Sequence, residues 1–162
     1  MSRRQIVIYG LTVLLGGLLL SGCNSGDTTS SSSSSVADNI AQLLATNECE
    51  GCNLTGADLR GADLRSAKLK DANLRNANLS KADLYRADLY FANLRYADLQ
   101  NANLQDADLK HAEMQYANLR DADLTGADMN AGKTGHFDTD LKHAIWTDGE
   151  TCETKNCDGK AY

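Results

Sequence analysis

The chain has 162 residues, 22 of them acidic and 16 basic, for a formal net charge of −6. It contains five cysteines and no proline at all. An acidic chain with no basic stripe excludes the ordinary electrostatic footprint of a nucleic-acid-binding protein.

In chain order, Arg3 and Arg4 precede an apolar run from Ile6 to Leu20, followed by Leu20-Ser21-Gly22-Cys23. A short basic region, an apolar core and a small-residue cleavage site predict a secretory signal over residues 1–22. The run is too short and too rich in glycine for a comfortable spanning helix. Leu20-Ser21-Gly22-Cys23 resembles a bacterial lipobox. That resemblance implies cleavage before Cys23, diacylation of its thiol and attachment to a membrane of the bacterial cell envelope. Asn24 after the cysteine implies the outer membrane, facing the periplasm. The alternative is an ordinary signal peptide in which Cys23 is incidental. Loss of residues 1–22 removes two arginines and no acid, so the mature charge becomes −8.

Residues 23–35 form a serine-rich tether behind the lipidated cysteine, with too little apolar surface to fold. Residues 36–51 are predicted to cap the domain that follows. Val36, Ile40, Leu43 and Leu44 fall at helical spacing, and Ser35 with Asp38 three residues on resembles a capping box. The rival reading of this stretch is one more irregular coil.

Residues 52–131 set the architecture. They read as sixteen consecutive five-residue units without insertion: CNLTG, ADLRG, ADLRS, and so on to ADMNA. The first position is Ala except at Cys52, and the second is Asp or Asn except at Lys68 and Glu113. The third is Leu except at Met114 and Met129. A helix would turn each Leu about 140° from the last, so no stripe would form. On a flat strand the odd period would throw successive Leu to opposite faces. Only a chain that bends once per unit keeps every Leu on one side. Four bends of about 90° close a square coil of twenty residues, which stacks on itself as a β-solenoid. Leu and Ala then point inward and the other positions face water. Asp or Asn beside the corner is placed to accept from nearby backbone N–H groups.

The A(D/N)LXX signature resembles that of the pentapeptide-repeat family. The resemblance implies an all-β, right-handed quadrilateral β-helix of about four coils, with a short helical N-terminal cap. Four coils at about 4.8 Å make a rod of roughly 19 Å.

Residues 132–162 hold degenerate repeats and a C-terminal cap. Gly132 to Asp138 interrupts the register, after which residues 139–143 and 144–148 read as two imperfect units. Trp146 is expected to cover the end of the core. With Cys23 lipidated, four cysteines remain, an even number that suggests disulfides in an exported chain. Cys49 and Cys52 stand at one end of the rod, Cys152 and Cys157 at the other. A disulfide needs Cα atoms within about 7 Å, so the expected links are Cys49–Cys52 and Cys152–Cys157. The same separation excludes one four-cysteine zinc site.

No catalytic constellation stands out, and no cofactor, metal or small-molecule substrate is implied. His111, His136 and His143 are scattered, and the many aspartates recur because the repeat recurs. One surface feature is less bland. Residues twenty apart should stack, which sets Tyr96 beside Tyr116 and Phe91 beside His111. Tyr85 and Tyr90 take matching outward positions on successive faces. Tyr85, Tyr90, Phe91, Tyr96 and Tyr116 are therefore candidate contacts for a protein partner, or else an intramolecular ladder. The expected function is a membrane-anchored, non-enzymatic binding or scaffold module. The alternatives are a DNA-mimicking gyrase binder, as some relatives are, and a redox protein using Cys49-Glu50-Gly51-Cys52.

Overall fold

The structure is a computed structural model that describes residues 34–129 and 142–145. Cys23, His136, Trp146, Cys152 and Cys157, and with them the expected leader, tether, C-terminal cap and second disulfide, lie outside the described residues. No described helix is long and apolar enough to cross a membrane.

The chain enters through helix α1, Val36–Thr46. Ser35 starts it because its hydroxyl accepts from the Asp38 amide while the Asp38 carboxylate accepts from the Ser35 amide, a reciprocal capping box. Asn47 ends it in the left-handed conformation, φ 58°, and its N–H donates to the Leu43 carbonyl at 2.8 Å. Leu43 is fully buried, and Val36, Ile40 and Leu44 pack against the core. Asn39, also buried, donates its side-chain amide to the Asn53 carbonyl at 2.9 Å and so pins the helix to the solenoid.

Beyond the helix the chain winds as a four-walled solenoid. Parallel bridges join residues twenty apart without a break from Glu48–Lys68 to Asp108–Asp128. The first wall carries units 47–51, 67–71, 87–91 and 107–111. The second carries 52–56, 72–76, 92–96 and 112–116. The third carries 57–61, 77–81, 97–101 and 117–121, and the fourth 62–66, 82–86, 102–106 and 122–126. Each wall meets its neighbouring coil through one bridged residue per unit, since only three residues are extended between turns.

One unit shows how all five amides are used. The Ala92 N–H donates across the preceding corner to Leu89 O at 2.9 Å. Asn93 N donates to Ala72 O, one coil back, at 2.9 Å, and Leu94 N to Glu113 O, one coil on, at 2.7 Å. Tyr96 N donates to Gln115 O at 3.1 Å. The remaining donor, Arg95 N, is taken by the Asn93 side-chain oxygen at 3.1 Å. No N–H is left over, so a proline anywhere in the unit would orphan an acceptor; this accounts for its absence. It also gives the recurrent Asp or Asn its task of satisfying the one amide that neither coil reaches.

The corner itself lies at the fourth and fifth positions. The fifth residue takes φ between 55° and 71° in each described unit, whether it is Gly51, Asn76, Lys81 or Phe91. With the Ala N–H bonded back to the Leu carbonyl, this is the φ signature of a type II turn. Gly126 tests the corner. A Cβ there would run into the Asp106 carboxylate, whereas one at Gly61 would meet nothing within 4 Å. Gly126→Ala is expected to cost more than the roughly 1 kcal/mol of the left-handed conformation alone. Gly61→Asn, which reproduces what Asn76 and Asn101 already do, is expected to change the melting temperature by no more than about two degrees. Equal losses at the two sites would contradict this packing.

Inside the square, the Leu residues form continuous stacks, fully buried from Leu64 to Leu104, with Ala at the corners. Two boundaries differ from the sequence reading. The solenoid begins one unit earlier, at Asn47: Cys49 occupies a Leu slot, and its N–H donates to Lys68 O at 2.9 Å like any other third position. The helix therefore caps a coil rather than replacing one. At the far end, Ile145 bridges Asp123, a step of 22 in place of 20, and Ala144 is buried in an Ala slot.

Candidate functional site

The outer surface is built from the second, fourth and fifth positions, so it repeats every twenty residues. Second positions pair between coils: Asn103 donates its amide to the Asp83 carboxylate at 2.9 Å, as Asn118 does to Asp98. Lys68 meets Glu48 at 2.8 Å, and Lys110 sits between Asp108 and Asp128 at 3.2 and 2.9 Å. The ion pairs keep more than a third of their side-chain surface in water, so each contributes little by itself.

The carboxylates feel their neighbours. Glu48 is held below the ordinary carboxylate range by the Lys68 hydrogen bond and charge, and Asp58 by the Arg60 guanidinium. At Asp123 burial pushes upward. Hydrogen bonds from the Thr125 hydroxyl and amide and from Gln105 outweigh it and leave the group lowered. A lowered folded-state value means stabilisation that is present above the ordinary carboxylate range and lost as pH falls through it. Acid, not alkali, loosens these walls. Among the described residues no group of three or more His, Cys, Asp or Glu is placed to hold a metal ion.

At the N-terminal end Cys49 and Cys52 are joined by a disulfide with Cα atoms 5.2 Å apart. It links the Leu slot of the first unit to the Ala slot of the second. Cys49 is fully buried, whereas the attacking cysteine of a redox CxxC pair needs an accessible thiolate.

The aromatic residues divide into groups, where the sequence suggested one patch. Phe91 stacks on His111 with centroids 4.7 Å apart, and Tyr90 meets both edge-on at 4.6 and 5.5 Å. One corner further round, Tyr96 stacks on Tyr116 at 4.9 Å, with Arg75 over the Tyr96 ring at 5.4 Å. Tyr85 stands apart on the fourth wall, half-buried under the Arg86 guanidinium at 4.9 Å. The physical reason is the five-residue step, which moves each successive unit one wall on. Only residues twenty apart can share a stack. Phe91, Tyr96 and Tyr116 are the exposed large apolar residues, at 50%, 43% and 48%. The second wall thus lies between two aromatic corners, with Arg75, Arg95 and Gln115 between them.

The sequence profile of the pentapeptide repeats matches residues 48–80, 67–106 and 92–130, eight copies in all and together more than half of the chain. The chain belongs to the pentapeptide-repeat family. A pentapeptide-repeat protein of the Arabidopsis thaliana thylakoid lumen is 25% identical, with a TM-score of 0.54 over 69% of this chain and 74% of that one. With that likeness the four-walled solenoid is a right-handed quadrilateral β-helix. HetL, a pentapeptide-repeat protein involved in heterocyst differentiation regulation in the cyanobacterium Nostoc, is 36% identical at a TM-score of 0.44. QnrB1, a plasmid-mediated fluoroquinolone resistance protein, is 25% identical at 0.45. This chain spans 51% and 54% of those two. No curated protein matches in sequence. Pentapeptide-repeat proteins generally serve as structural or binding modules.

Proposed function

We propose that this protein is an exported, lipid-anchored, non-enzymatic binding module that presents its repeat walls to a protein partner in the bacterial cell envelope. The observation that carries the reading is the exposure of Phe91, Tyr96 and Tyr116 on a backbone held coil to coil by a regular hydrogen-bond ladder. Rings on a rigid scaffold cost little entropy to dock and are frequent interface anchors. The Leu20-Ser21-Gly22-Cys23 segment and the serine-rich tether support the anchoring half: two acyl chains hold the rod locally while the tether lets it search.

The two halves are tested separately. Cys23→Ala is expected to leave the protein unprocessed or released, and to abolish its partition into the detergent phase of a two-phase extraction. A processed variant that still partitions like the parent contradicts lipidation at Cys23. Proximity labelling by the full-length protein in its native cell is then compared with the Tyr90→Ser, Phe91→Ser double variant. Labels lost by a variant whose melting temperature stays within a few degrees of the parent support the binding surface. Labels retained, with lowered stability, mark the rings as an internal ladder.

A further inference from the structure

Resting on that reading, we infer that the second wall binds an acidic, extended protein segment. The first observation is charge. Arg75 and Arg95 against Glu113 make the second wall of units 52–116 net +1, while the first and fourth walls each sum to −2 and the third to zero. In a chain of net charge −6 this is the one wall of a different sign.

The second observation is that neither arginine of this wall is spent on a carboxylate, Arg75 lying instead over the Tyr96 ring at 5.4 Å. Three arginines of the other walls are spent within the rod, Arg60 on Asp58 at 2.8 Å, Arg65 on Asp63 at 2.7 Å and Arg86 on Asp106 at 3.4 Å, whereas Arg120 on the third wall shows no ion pair either among the described residues. Arg75 and Arg95 have no carboxylate at ion-pair distance among the described residues. The Arg95 Nε is buried without a hydrogen-bond partner, as is the Gln115 Oε1 in the same column of the next coil. With its Nε turned inward, the Arg95 guanidinium has its two terminal nitrogens to offer a carboxylate.

The third observation is how the rings point. Phe91–His111 and Tyr96–Tyr116 are near-parallel pairs, 13° and 10° between planes, formed by residues one coil apart. Each pair covers the ring faces between its two members, and Arg75 lies over the Tyr96 ring, so ring edges make up more of what is left to a partner. Ring edges carry the positive rim of the quadrupole, so both borders of the wall favour carboxylate and carbonyl oxygens. The same pairing turns the two aromatic corners into low walls beside a flat, rigid floor, a shape that suits an extended strand.

The test uses the full chain in detergent and a fluorescein-labelled polyglutamate peptide of about fifteen residues, read by fluorescence anisotropy, with polylysine as the opposite probe. Net charge −6 works against chance attraction of polyglutamate. Saturable binding is expected, weakened at least about tenfold by Arg95→Glu and unchanged by Arg60→Glu on the third wall, with each variant's melting curve confirming its fold. No saturable binding, stronger binding of polylysine, or equal weakening by Arg60→Glu overturns the inference. So does self-association of the protein that Arg95→Glu abolishes, since a second copy would then be the occupant. If polyglutamate fails while the aromatic-dependent proximity labels persist, the acidic partner falls and the binding module stands. If those labels are also absent, the module falls too.

Discussion

Leu94→Lys is expected to unfold the rod, and Arg95→Ser, one residue later, to leave its melting temperature within a few degrees of the parent. Leu94 is fully buried in a stack between Leu74 and Met114. Lysine there removes leucine packing, worth roughly 2–5 kcal/mol. It also buries a charge without a partner, a further loss on the order of 3–5 kcal/mol. Together these match the whole net stability of about 5–15 kcal/mol that a domain of this size possesses. In a solenoid each coil contacts only its neighbours, so the loss spreads along the stack. The Arg95 side chain is half-exposed and its amide, not its head group, holds the corner. Thermal unfolding followed by circular dichroism checks both. Losses of similar size would refute the inward and outward assignment.

How far the chain could be read in advance follows from what each residue does. The unbroken period from Cys52 to Ala131 carried the walls, the buried Leu and Ala and the twenty-residue stack, because every unit solves the same packing problem. Ser35 and Asp38 marked the helix start because a capping box is local. The unit Asn47–Gly51 was hidden: Asn47 fills the Ala slot so that it can also end the helix, and Cys49 fills the Leu slot because it is bonded to Cys52. The left-handed fifth position left a signal that the repeat pattern overshadowed. Gly, Asn or Asp stands there at Gly51, Gly56, Gly61, Asp71, Asn76, Asn101, Asp106, Asp121 and Gly126. Phe91, Tyr96 and Tyr116 take the same conformation against their preference, at φ 56°, 61° and 63°. The stacking pairs followed from the period, and so does their separation into two corners: Phe91 and Tyr96 are fifth positions of successive units, one wall apart, a consequence that the single-patch reading passed over. The step of 22 between Asp123 and Ile145 breaks the period that every earlier pair obeys, so the period could not supply it.

The central claim is that twenty residues make one turn of the stack, and paired cysteines test it most directly. Gln100 and Arg120 occupy the same slot in adjacent coils, flanked by the Leu99–Asn118 and Asn101–Arg120 backbone bonds at 2.8 and 2.9 Å. Neighbouring parallel segments lie about 4.8 Å apart, within the Cα range of about 4.4–6.8 Å that a disulfide spans. Gln115 holds the same slot of its unit fifteen residues on, around a corner. Gln100→Cys with Arg120→Cys is expected to form an intramolecular disulfide on mild oxidation of the folded protein, read by peptide mapping without reduction. Gln100→Cys with Gln115→Cys is expected to keep both thiols free. A disulfide between positions 100 and 115, with 100 and 120 left reduced, would contradict the four-walled coil.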